Sequence, residues 1–209
     1  MRYPVPDLPA DGRHAGETEV EKSRFITWLN HAPDVAAFDA LLAAARHEHP
    51  AATHHCSAFI AGPPGEQNAI GFSDDGEPGG TAGRPMYQVL DGSGLGQVGC
   101  VVIRYFGGTK LGTGGLARAY AQAVTHALET LPQRQHVERD KLNLKVDFAG
   151  EAEARAWLAT QDALIDTADY TSEGVLLSVA WPSDMALDLA SLQARLRGNV
   201  QLIEPTPGT

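Results

Sequence analysis

Two stretches of this sequence gather the side chains that could do chemistry. The first is Phe72-Ser73-Asp74-Asp75-Gly76-Glu77-Pro78-Gly79-Gly80-Thr81-Ala82-Gly83-Arg84-Pro85, which sets three carboxylates within four residues. Asp74, Asp75 and Glu77 carry the oxygen donors that hold a hard divalent cation, or that act as acid and base side by side. Like charges this close oppose one another's ionisation unless a cation answers them. A solvated turn whose Asp side chains bond their own backbone accounts for the same residues more simply. The ligand alternation and closing Glu of an EF-hand loop are missing, so no metal is expected, and Asp74, Asp75 and Glu77 are the donors that would hold one.

The second stretch is Arg104-Tyr105-Phe106-Gly107-Gly108-Thr109-Lys110-Leu111-Gly112-Thr113-Gly114-Gly115-Leu116. An apolar run, Val98 to Ile103, leads into glycines and then into a helical spacing of Leu116, Tyr120, Val124 and Leu128. Free N–H groups at a helix start attract anions. Arg84, Arg104, Lys110 and Arg118 stand in or beside this window, and Gly112, Thr113, Gly114 and Gly115 would offer backbone, with Thr113 as the helix cap. Lys110 precedes the last glycines, so this is not a Walker loop, and the glycine spacing is not that of a dinucleotide fingerprint. A tight strand-to-helix turn packed on a sheet is the plain alternative.

A third group is His47, His49, His54, His55 and Cys56. Neighbours on a strand face opposite ways, so His54 and His55 do not converge on a zinc ion. Either one remains a candidate to assist acid–base chemistry. A Cys56–His55 nucleophile pair is disfavoured for the same reason, and Cys100 in the apolar run reads as core.

Positioning these residues requires a sheet with helices. Residues 1–17, rich in Pro, Gly and charge, read as a mobile leader. Thr18 to Ile26 alternates and predicts a strand. Asp34 should cap a helix carrying Val35, Phe38, Leu41, Leu42 and Ala45 and ending near His49-Pro50. Strands are expected over 55–61, 69–72 and 97–106, the last of them buried, with a polar loop over 73–84 and a short helix over 85–90. A longer helix, Leu116 to Leu131, stops at Pro132. Residues 18–132 thus form one α/β sandwich domain, and a boundary follows at 132–136. Beyond it come a strand (137–148), a helix (152–161) and two strands (163–171, 175–181) joined at Ser172-Glu173-Gly174. A helix carrying Leu189, Leu192 and Leu196, capped by Ser183 or Asp184 and closed by Gly198 at C′, precedes a last strand over 200–203. This βαββαβ order predicts a ferredoxin-like domain over 136–205, and the fold class is α+β.

The 209 residues carry a net charge of −10, 43% hydrophobic residues and two cysteines, a composition that excludes a globally disordered chain and a disulfide framework. No apolar run approaches ~18 residues, so no membrane-spanning helix is expected. No secretory signal opens the chain, and a cytoplasmic location is expected. Net charge is −4 over residues 1–135 and −6 over 136–209, so neither half is a basic nucleic-acid domain by bulk, and any basic patch is local. Sixteen of the 22 glycines lie between Gly62 and Gly115, where defined charged residues stand between them.

Four blocks taken in order resemble the IMPACT/YigZ family: Glu21-Lys22-Ser23-Arg24-Phe25-Ile26; His54-His55-Cys56-Ser57-Ala58-Phe59; Asp74-Asp75-Gly76-Glu77-Pro78 through Thr81-Ala82-Gly83; and Arg104 through Tyr120. The resemblance covers about residues 18–131. It implies an N-terminal fold similar to the second domain of a small-subunit ribosomal protein, and a C-terminal fold similar to a ferredoxin-like domain of elongation factor G. Both likenesses point toward RNA and the translation machinery. The kinase-pathway role of eukaryotic members, and their extra partner-binding domain, are not expected here. The leading expectation is a translation-associated factor without cofactor or catalysis. It would bind RNA or ribosomal components through Arg84, Arg104, Lys110, Arg118 and the Gly112–Gly115 backbone. The alternatives are a metal-assisted hydrolase or phosphoryl-processing enzyme built on the acidic loop with His54 or His55, and a protein–protein adaptor.

Overall fold

A computed structural model describes residues 1–203, so the expected domain end at 205 lies outside the described residues. The fold is α+β, with eleven strands and five helices among the described residues. Two compact units divide it: residues 3–136, and residues 1–2 together with 137 onward.

In the larger unit the sheet is built from β2 (His14–Val20), β3 (Ser23–His31), β4 (His54–Ile60), β5 (Ile70–Ser73) and β6 (Val98–Tyr105), in the order β2-β3-β6-β4-β5. Every neighbouring pair is antiparallel. Side-chain alternation sorts the central strands onto two cores. Phe25 and Leu29 of β3, Cys56 and Ala58 of β4, and Val98, Cys100 and Val102 of β6 pack toward α2 (Gly83–Ser93) and α3 (Gly112–Glu129). Ile26, Trp28, Val101 and Ile103 pack on the opposite face against α1 (Val35–Glu48). Cover on both faces explains why β6 reads as a continuous apolar run although its sheet is antiparallel. Asp34 caps α1 as its spacing predicts, its carboxylate accepting from the Ala37 N–H at 2.8 Å.

Four expectations need correction. Residues 1–17 are not a leader: β1 (Arg2–Pro6) pairs with β7 (Gln133–Val137), and β2 begins at His14. The strand read over 18–26 is the two arms of a β2–β3 hairpin, turned at Glu21 and Lys22 with φ of +48° and +64°. The segment 132–136 is mostly strand β7 rather than a linker. Finally, α3 begins four residues earlier than its apolar spacing, at Gly112, so Thr113 lies inside its first turn and caps nothing.

The smaller unit comprises β8 (Arg139–Val146), α4 (Glu151–Thr160), β9 (Leu164–Thr171), β10 (Gly174–Pro182), α5 (Leu189–Arg195) and β11 (Val200–Ile203), with sheet order β11-β8-β10-β9. That is the ferredoxin-like arrangement, its core holding Leu144, Val146, Trp157, Leu158, Val175, Leu177 and Leu192. Asp188, not Ser183 or Asp184, caps α5, accepting from the Ser191 N–H at 3.0 Å. Arg197 (φ +51°) occupies the left-handed C′ position, and Gly198 follows it as C″, its N–H donating to the Gln193 carbonyl at 2.8 Å.

Candidate functional site

His54 and Arg104 sit directly opposite each other on β4 and β6. Alternation turns both toward α2 and α3, so the end of an apolar strand delivers a guanidinium into the core edge. There Arg104 Nη1 donates to Glu77 Oε1 at 2.6 Å, with the two side chains only 6% and 4% exposed. The Tyr120 hydroxyl, carried by the buried stripe of α3, donates to the same oxygen at 2.8 Å. His54 Nε2 lies 3.7 Å from Glu77 Oε2. Arg104 Nη2 donates to Ser23 Oγ at 3.2 Å, and the Gly107 N–H reaches that hydroxyl at 3.1 Å. The guanidinium carbon stands 5.5 Å from the Phe25 ring and 5.6 Å from the Phe106 ring. A buried charge is tolerated only when paired and hydrogen-bonded; Glu77 and Ser23 do that for Arg104, and Tyr120 does it for Glu77.

The remaining acidic residues answer to other partners. Asp74 accepts from the Gly80 N–H at 2.7 Å and from the Ala82 and Gly83 N–H groups at 2.9 Å each. Burial alone would push its carboxyl up, but these three amides outweigh that and hold it below the usual Asp range. It thereby supplies the start of α2 with the negative charge a helix N-terminus favours. Asp75 accepts from the His55 N–H at 2.6 Å and from Arg46 at 3.2 Å, while its carbonyl receives His54 Nδ1–H at 2.8 Å. The three carboxylates therefore do not face a common centre, and no group of three or more His, Cys, Asp or Glu among the described residues has metal-holding geometry. His54 and His55 do diverge, His55 turning to the α1 side with its Nε2 3.1 Å from the His49 carbonyl. The Cys56 thiol donates to the Asp74 carbonyl at 3.0 Å and lies 3.2 Å from the Tyr120 hydroxyl. Burial pushes that thiol up to about 12, so it stays protonated as a core side chain rather than a nucleophile.

The basic loop is different. Lys110 and Arg118 are exposed and form no ion pair among the described residues. No side chain caps α3, and Gly112, at its first position with φ of +68°, Thr113 and Gly114 are exposed. Lys110 borders two clefts. One, of about 350 Å³, is lined by residues including Glu77, Arg104, Phe106, Leu111, Gly112 and Thr113. The other, of about 600 Å³, includes Glu21, Thr109, Gly115 and Arg118. Arg84 is exposed on the first turn of α2 and lines neither cleft. Arg104, expected as a phosphate contact, is instead neutralised by Glu77. Tyr120 and Ser23 were not singled out from the sequence. The signal available was a polar tip within the apolar stripe of α3, and a serine opening a buried strand. The β2–β3 turn brings the Lys22 backbone so close to Gly107 that any Cβ there would collide with the Lys22 carbonyl.

A family model described as the Impact N-terminal domain matches residues 21–128. The chain is 43% identical over 189 residues to the IMPACT family member YigZ of Escherichia coli strain K12, covering 88% of this chain and 91% of that one. The chain belongs to the IMPACT/YigZ family. An IMPACT family member of Thermus thermophilus is 34% identical over 163 residues, covering 78% and 86% of the two chains. A crystal structure described as that of a hypothetical protein shares 39% identity with a TM-score of 0.69, covering 99% of this chain and 98% of that one. In this IMPACT-family chain the four sequence blocks meet around one ion pair. The first supplies Ser23, the second His54 and Cys56, the third Asp74 and Glu77, and the fourth Arg104 and Tyr120.

Proposed function

We propose that this chain is a translation-associated factor that binds the phosphate backbone of RNA at the start of α3. Lys110, Arg118 and the Gly112–Gly115 backbone are the contacts. The observation that carries the reading is the pairing of two exposed cations, neither held by a carboxylate, with a helix start that no side chain caps. Such a site favours an oxyanion through both the amides and the local charge. The Glu77–Arg104 pair holds the acidic loop beneath it and is not itself a phosphate contact. The ferredoxin-like unit, and the family's likeness to translation domains, supply the choice of RNA over a free anion.

The metal-assisted alternative is less well supported by this geometry, because Asp74 and Asp75 are engaged by backbone amides and Arg46. Filter retention of labelled single-stranded RNA at low salt tests the proposal. Binding should be measurable and should weaken severalfold in Lys110→Gln/Arg118→Gln. Absence of retention, or retention indifferent to both charges, refutes it.

A further inference from the structure

The cleft of about 350 Å³ beside the Glu77–Arg104 pair has mostly apolar walls, from Pro78, Phe106, Leu111 and Leu116, with Lys110 and the first residues of α3 at its edge. Its size and mostly apolar walls suit a small ligand, and Lys110 at its edge would face an anionic group on it. Phe106 is 48% exposed although it directly follows a buried strand. Its backbone is pinned by the Phe106 N–H donating to Thr53 Oγ1 at 3.1 Å, and Arg104 lies 5.6 Å from the centre of its ring. An exposed aromatic on an anchored backbone suits stacking, because the fold has already met the cost of ordering its backbone. Arg104 lines the cleft as well: it is 5% exposed, and its guanidinium is fixed by Glu77 and Ser23, so the wall beside the Phe106 ring is held in place.

We propose that this cleft receives one unpaired nucleotide, its base stacked on Phe106 and its phosphate on Lys110 and the first-turn amides of α3. The inference rests on the RNA reading above and deepens it: the strand must be single, since a base held in a duplex offers no free face to Phe106. Stacking also makes the site tolerant of base identity, so recognition here is of an unpaired strand rather than of a sequence.

The test uses fluorescence anisotropy of the full chain with a labelled oligouridylate of about ten nucleotides, for the wild type, Phe106→Ala and Phe106→Trp. Both substitutions are at an exposed position and leave the core intact. Phe106→Ala should weaken binding about tenfold, Phe106→Trp should hold or tighten it, and unlabelled duplex RNA should compete less well than the single strand. Uridine 5′-monophosphate should displace the probe at lower concentration than ribose 5-phosphate. Unchanged affinity in Phe106→Ala, loss in Phe106→Trp equal to that in Phe106→Ala, or equal competition by duplex overturns the nucleotide site while leaving phosphate binding standing. No binding of the oligouridylate by the wild type removes both.

Discussion

Two helices of the larger unit follow charged loops, and they begin differently. At the start of α2, Asp74 accepts three backbone N–H groups, so the protein supplies its own anion. At the start of α3 no side chain caps the helix, and Lys110 and Arg118 are exposed beside it, with Glu21 lining the same cleft. The same helix-end electrostatics are met by a carboxylate in one case and by no capping side chain in the other. An acidic cluster in a glycine-rich loop suggests chemistry more strongly than a lysine among glycines does. The partners reverse that ranking: the acidic loop is consumed by the fold, and the basic loop is open.

The largest effect should come from breaking the join between the two loops. Glu77→Ala leaves Arg104 buried without its counter-charge, and we expect a loss of about 3–5 kcal/mol in the stability of residues 3–136. Urea dependence of amide exchange in β6 would measure it. Replacing both partners, as Glu77→Leu/Arg104→Met, should recover much of the loss, because an apolar pair need not be solvated. Equal damage from the single and double changes would mean that the ion pair is not what ties the loops together.

A smaller effect is expected at Asp74. Asn keeps one acceptor oxygen where three amides need two, so Asp74→Asn should cost about 1–2 kcal/mol at neutral pH. The folded carboxyl is held below the ordinary Asp value of 3.8. Its contribution is therefore fully present above that value and lost as pH falls through the lower folded value. Wild-type and Asp74→Asn stabilities should converge at the acid end of a pH series and stay apart from pH 5 upward. Curves separated by a constant offset throughout would show that ionised Asp74 is not what α2 needs.

How far these contrasts were legible in the sequence follows from the range of the interactions. Local signals succeeded: the Asp34 cap, the apolar run of β6 and the βαββαβ rhythm each depend on residues within a few positions of one another. The β2–β3 turn was missed because Glu21 and Lys22 adopt positive φ without the Asn-Gly signal that normally marks a two-residue hairpin. Strand β1 was missed because its partner β7 lies more than a hundred residues away. The site divides in the same way. Lys110 and the α3 start could be read from one segment, whereas the neutralisation of Arg104 by Glu77, across 27 positions, required the sheet to bring them together.

The smallest effect on the fold, and the sharpest on function, belongs to the basic loop. Lys110→Gln and Arg118→Gln lie at exposed positions without ion pairs and should shift stability by no more than about 0.5 kcal/mol. The most direct measurement is the salt dependence of single-stranded RNA affinity for the wild type and the Lys110→Gln/Arg118→Gln double variant. Binding should be measurable, with a log–log salt slope that falls in magnitude by about 0.7 for each charge removed, roughly 1.4 in all. An unchanged slope in a correctly folded double variant, or a wild type with no affinity at low salt, would contradict it.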